Sequence, residues 1–171
     1  MSHEVEIGRG KRGRRAYTLD DVALVPSRRT RDPEDVNVGW QIDAYHVDIP
    51  LMAAPMDSVM SPATAIRFGR LGGIGVLDLD GLWTRYEDPE PILAEIARLG
   101  ADESIARLQQ IYSEPIKPSL ITARLRQLRE AGVVVAAKLS PQRTQKYWRY
   151  VVDAGVDLFI IRGSTVSAEH V

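Results

Sequence analysis

The chain is 171 residues long, 44% hydrophobic and 26% charged, with a formal net charge of −1, the profile of a soluble globular protein large enough for one domain with a real core. It has no cysteine, which excludes disulfides, and no apolar run near the ~18 residues that a membrane helix needs. His3, His46 and His170 lie far apart without metal-ligand spacing, and the polar, basic start lacks the apolar segment of a secretory leader, so a cytoplasmic protein is the expectation.

Residues 1–50 read as an irregular arm. Gly8, Gly10, Gly13, Pro26 and Pro33 interrupt regular structure, and the alternating VGWQIDAYHVDIP before residue 51 suits a β-hairpin closing the bottom of a domain. The arm is also basic: residues 1–31 carry eight Lys and Arg against four acids, or +4, which leaves −5 for the remainder. The run GRGKRGRR could meet nucleic acid or an anionic ligand. No aromatic interleaving or nucleic-acid module accompanies it, so the preferred reading is a solvated arm or one lying on a neighbouring subunit, with nucleic acid not expected as a partner.

From residue 50 a grammar repeats. PLMAAPMDSVMSP opens with apolar LMAA, stopped by Pro55; Ser61-Pro62 then starts a helix that closes at Gly72-Gly73, and IGVL follows. Asp88-Pro89 starts a second helix, closing at Gly100 with no strand behind it. Lys117-Pro118 to Gly132 precedes VVVAA, and Ser140-Pro141 to Gly155 precedes VDLFII. Proline's fixed φ suits the first helical position, Ser or Asp before it can accept from orphan amides, and glycine just past the last turn takes the left-handed cap. The apolar runs are short and do not alternate, as in strands covered on both faces. The resulting order predicts an α/β fold with a parallel sheet. Met52 to Gly75 is 23 positions and Val135 to Ile160 is 25, each enough for one βα unit. GSTVSAEHV at 163–171 reads as a loop entering a further helix. Four strands fit either a small open sheet or half of a (β/α)8 barrel, which needs eight strands and ~250 residues.

Three ordered stretches favour the barrel. YTLDDVALVP at 17–26, PLMAAPMDSV at 50–59 and GRLGGIGVL at 69–77 resemble the opening of the IMP dehydrogenase/GMP reductase family. Its members show Y-T-F-D-D-V-L-L-V-P, P-L-V-S-A-P-M-D-T-V and G-G-I-G-V in the same order and spacing. AGVDLFIIRGST at 154–165 is similar in kind. The resemblance implies a TIM (β/α)8 barrel, present as its first four βα units over 51–171 after an arm at 1–50, in a homo-oligomer with a tetramer favoured. About 55 residues separate Leu77 from Val133, too few for the pair of CBS modules that many dehydrogenases insert there. The chain therefore looks like the CBS-less branch, and GLWTRYEDPEP at 81–91 is similar to the dehydrogenase-like paralogues within it.

The chemistry so implied is hydride transfer between C2 of a purine nucleoside monophosphate (IMP, XMP or GMP) and NAD or NADP, in guanine nucleotide metabolism. It runs through a thiolate that adds to the base and leaves again, with a monovalent cation near the cysteine loop. The nucleophile is expected beyond Val171, as are the phosphate-binding loops after strands seven and eight, and the 171 residues alone are expected to be inactive. The alternative is a non-catalytic purine-nucleotide-binding or regulatory paralogue.

Ligands in such a barrel sit at the carboxyl ends of the strands. At the first tip, Ala54, Met56 and Asp57 match family positions that line the nucleotide pocket. Ala54 replaces a serine common in dehydrogenases, which removes one ligand hydrogen bond. Met56 either packs its thioether on the purine or is plain core, and Asp57 is either a ligand contact or a turn or cap residue that orients nearby backbone. At the second tip, Asp78-Leu-Asp-Gly81 stands where relatives place histidine or asparagine; its acids either reach a base or ribose or are solvated turn residues. Lys138, ending the third strand, is either a rim cation or a lysine snorkelling to solvent. The fourth tip, Arg162-Gly163-Ser164-Thr165, is assigned to the cofactor. Dehydrogenases usually show Asp-Ser-Ser there, with the aspartate at the nicotinamide end. Arg162 inverts that charge and favours a phosphate or carboxylate, as in NADP; otherwise it marks lost dinucleotide binding or pairs with Asp78 or Asp80.

Overall fold

A computed structural model of the chain describes residues 4–6, 8–25 and 31–163 and divides it into two units between Asn37 and Val38. In the first unit, β1 (Glu4–Glu6) and β2 (Arg12–Arg14) form an antiparallel ribbon in the register Glu4↔Arg14 and Glu6↔Arg12. Gly8 and Gly10, both at positive φ, turn the chain between them. This ribbon was not expected in the glycine-rich basic arm; opposite charges across the strands help select it, as in the Arg12–Glu4 pair at 3.6 Å.

The second unit begins with a hairpin of β3 (Trp40–Ile42) and β4 (Tyr45–Val47), turned by Asp43 at φ +48, a conformation aspartate tolerates. Four parallel strands follow: β5 (Met52–Ala53), β6 (Ile74–Asp78), β7 (Ala136–Leu139) and β8 (Leu158–Ile161), hydrogen-bonded in that order. The parallel α/β sheet is the one that the sequence pattern requires. Between the strands lie α1 (Pro62–Arg70), α2 (Glu90–Ile96), α3 (Ala101–Ser113), α4 (Pro118–Glu130) and α5 (Pro141–Asp153). Among the described residues no helix is long and apolar enough to cross a membrane.

Side-chain alternation along the strands divides the core into two layers. Leu77, Ala137 and Leu139 face the helices and pack with Ala65 of α1, Ile121, Leu125 and Leu128 of α4, and Tyr147 and Val151 of α5. Ile74, Val76 and Ala136 point the other way, where Val47 of the hairpin covers them beside Leu158 and Ile160. The α4 residues recur at i, i+4 and i+7, the stripe of an amphipathic helix. Gly75 makes the close approach of α1 to β6 possible, since a Cβ there would lie 2.6 Å from Cα of Ala65.

The helix signals are mostly obeyed. Gly72, Gly132 and Gly155 take φ of +94°, +71° and +78° just past α1, α4 and α5, and Ser61 Oγ accepts from Thr64 N at 3.0 Å at the start of α1. Two signals are not. Gly100 has φ −68° and is the N-cap of α3, because a further helix starts there at once and needs extended backbone before it. Ser140 does not cap α5, because its hydroxyl is taken by Asp80.

Candidate functional site

Because the four strands are parallel and in register, their carboxyl ends align. Asp78 of β6 sits beside Lys138 of β7, which sits beside Ile160 of β8. The alternation of side chains then brings Arg162, two residues on, to the same face of the sheet as Lys138. Pro55, Lys138, Ser140, Arg162 and Gly163 line a cleft of about 490 Å³ at this rim.

Its centre is an ion cluster. Lys138 Nζ donates to Asp78 at 3.1 and 3.2 Å and to Asp80 at 3.1 Å. Asp80 also accepts from Ser140 N at 2.8 Å and Ser140 Oγ at 3.2 Å, and Asp78 accepts from Asp80 N at 2.9 Å. The three charged side chains are only 15–20% exposed. Burial pulls the Lys138 ammonium down, but hydrogen bonds and charge from Asp80 and Asp78 outweigh it and hold the group above its usual range. The second-tip acids are therefore not solvated turn residues, and Lys138 does not snorkel.

Arg162 is different. Its backbone N–H donates to Leu139 O at 3.1 Å, while its exposed guanidinium has no hydrogen-bond or ion-pair partner among the described residues. Pairing with Asp78 or Asp80 does not occur, because Lys138 already occupies both. Gly163 lies beside it in the cleft lining; Ser164 and Thr165 lie outside the described residues.

At the first tip, Ala54 is exposed and its carbonyl accepts from Met56 N at 2.8 Å. Met56 is 52% exposed, so it is not a core methionine. Asp57 Oδ2 accepts from Leu82 N at 2.7 Å and from the Tyr112 hydroxyl at 2.6 Å. Its Oδ1 is buried without a hydrogen-bond partner among the described residues, and a Cβ at Gly81 would overlap this carboxylate. Burial is the main influence on Asp57 and raises its pKa despite the bonds from Tyr112 and Leu82. The alternative of Asp57 as an orienting residue thus has a physical form: it caps the short 3-10 helix Leu82–Thr84 from a distant part of the chain.

Sequence reasoning missed the supports behind this rim. Thr84 is fully buried and donates to Leu79 O at 2.9 Å. Arg85 is 6% exposed and grips Asp80 O through Nε and Nη2 at 3.2 and 2.9 Å. The bonds of Arg85 to Tyr112 O and of Tyr112 to Asp57 join distant parts of the chain, and those of Thr84 and Arg85 to Leu79 O and Asp80 O shape a turn that no regular pattern marks.

The sequence profile of the IMP dehydrogenase / GMP reductase domain matches residues 16–171. The chain belongs to the IMP dehydrogenase/GMP reductase family. It is 46% identical over 172 residues to a protein of Mycolicibacterium smegmatis named an uncharacterized oxidoreductase, covering 98% of this chain and 46% of that one. A protein of the same description in Mycobacterium tuberculosis is 44% identical with the same coverage. The inosine-5'-monophosphate dehydrogenase of Methanocaldococcus jannaschii is 41% identical over 64 residues, 37% of this chain and 13% of that protein. Among solved structures, an IMP dehydrogenase/GMP reductase-like protein from Corynebacterium glutamicum superposes with a TM-score of 0.80 at 40% identity, over 98% of this chain and 46% of that one. This family member thus spans about half the length of the actinobacterial relatives it matches, at 46% of each.

Proposed function

We propose that the chain is the amino-terminal half of a (β/α)8-barrel oxidoreductase that moves a hydride between C2 of a purine nucleoside monophosphate and a nicotinamide cofactor in guanine nucleotide metabolism. Family membership supports this, as does a sheet whose outer strands, β5 and β8, each pair on one side only among the described residues. In a closed barrel both would gain neighbours. The carrying observation is the alignment of the strand ends around one cleft lined by Lys138 and Arg162. On this reading residues 1–50 are an arm and 51–171 the first four βα units. The remaining units supply the cysteine nucleophile, the phosphate loops and the monovalent-cation site, and the whole protein is a cytoplasmic tetramer.

Ala54, Met56 and Asp57 form one wall of the purine pocket. The exposed Met56 thioether packs on the base, and Asp57 holds the wall in place through Leu82. Arg162, with Gly163, Ser164 and Thr165, receives the cofactor. Its guanidinium, without a partner among the described residues, suits a phosphate ester, which favours NADP over NAD. When bound, the nicotinamide accepts or donates the hydride, and this chain's part is to bind and orient. A second reading, a paralogue that binds purine nucleotides without turnover, draws on that same Arg162 standing where dehydrogenases carry an aspartate.

The test is IMP binding and IMP-dependent NAD(P)H formation by the whole protein. The expected result is turnover with NADP preferred by about tenfold, the preference vanishing in Arg162→Asp. IMP binding without turnover by either cofactor would instead favour the paralogue.

A further inference from the structure

Two side chains outside the cleft lining grip residues that adjoin it, and both involve the segment between β6 and α4. Tyr112, in the last turn of α3, donates its hydroxyl to Asp57, one residue from Met56. Arg85 reaches the same turn from the other side. Its Nη1 donates to Tyr112 O at 3.0 Å and to Glu114 O, its guanidinium lies 5.4 Å from the Tyr112 ring centre, and its Nε and Nη2 hold Asp80 O. Asp80 in turn holds Lys138 and Ser140. The end of α3 is therefore wired to the first, second and third strand tips together.

The chemistry of the wiring points to positioning. Arg85 is buried with no carboxylate ion-pair partner among the described residues. Its charge is met by backbone carbonyls, which fix the direction of the guanidinium and of the loops that supply them. Asp57 likewise spends one oxygen on two donors from different segments, Leu82 N and Tyr112 Oη. The exposed Arg107–Glu95 pair, at 2.7 and 3.0 Å, also links α3 back to α2.

We propose that Tyr112 is a positioning residue for the nucleotide wall: by holding Asp57 against the Leu82 amide, it fixes the loop that presents Met56 and sets how tightly that wall takes a purine nucleoside monophosphate. The ligand in this statement rests on the reading given under Proposed function; the brace itself does not.

Tyr112→Phe keeps the ring under Arg85 and removes only the hydroxyl. In the whole protein, calorimetric titration with IMP should show Kd raised about tenfold, and the Leu82 amide should exchange its hydrogen about tenfold faster, while Tm moves by no more than about 3 °C. Unchanged Kd and exchange in Tyr112→Phe, or a lowered Tm without them, would overturn the proposal. If the parent protein binds no IMP, the functional reading fails by itself, and the brace then stands or falls on whether Leu82 exchange accelerates in Tyr112→Phe.

Discussion

Two cations share one rim and have opposite surroundings. Lys138 sits between Asp78 and Asp80 with its side chain 15% exposed, whereas the guanidinium of Arg162 has no described partner. Removing the first charge leaves two mostly buried carboxylates without their shared donor, each losing a charged hydrogen bond of about 1.5–3 kcal/mol, with some relief from water at the rim. Lys138→Met should therefore lower unfolding free energy by about 2–4 kcal/mol in urea titrations. Arg162→Ala should leave it within about 0.5 kcal/mol, since an exposed side chain without a partner among the described residues holds none of them in place. Equal losses in the two variants would contradict the environments described here. The positions of both cations were legible in the sequence because they end apolar strands. Their partners were not. Whether Lys138 or Arg162 takes the acids depends on strand register: Asp78 faces Lys138 directly, and Arg162 lies a further two residues along β8's path.

At the scale of the elements, local signals were readable and tertiary competition was not. Ser61 caps α1 and glycines close α1, α4 and α5 because those choices involve only neighbouring backbone. Ser140 carries the same Ser-Pro signal, yet Asp80, in the turn after β6, draws its hydroxyl away. Gly75 shows the reverse case, a residue whose meaning is set by a neighbouring element. In the sequence it is one glycine of a family motif; in the fold it is the point where α1 lies against β6. An added Cβ would stand 2.6 Å from Ala65 Cα and 2.8 Å from Ala65 O, and backbone cannot step aside as a side-chain end does. Gly75→Ala should force α1 outward and destabilise by about 1–3 kcal/mol. Thermal unfolding would register it, and an unchanged Tm would mean that α1 and β6 are not packed this closely in solution.

For the molecule as a whole, the order of parallel strands followed from punctuation and apolar runs. The bonds that pin β7, β8 and the hairpin at the end opposite the cleft did not follow. They converge on Asp157, just before β8. Its Oδ2 accepts from Val135 N at 2.8 Å, and its Oδ1 accepts from Tyr45 Oη and Arg129 Nη2, each at 2.8 Å. Burial pulls this carboxyl upward, but those three donors together outweigh it and hold its pKa below the ordinary value. A carboxyl so depressed contributes stability that is fully present above its unfolded pKa of about 3.9 and is lost as pH falls through the lower folded value. Asp57 has the opposite sign: its raised pKa favours the protonated folded state, so its own contribution grows as pH falls. The pH curve of the parent alone would mix the two, and the difference between the parent and Asp157→Asn separates them. That difference should be about 1–2 kcal/mol near pH 6, where the carboxylate holds all three donors, allowing for the half-exposed Arg129. It should shrink steadily as pH drops below about 4, because a protonated Asp157 and an asparagine then offer the donors much the same neutral oxygen. A gap that stayed constant or widened on acidification would show that the charge of Asp157 does not staple the hairpin to the sheet.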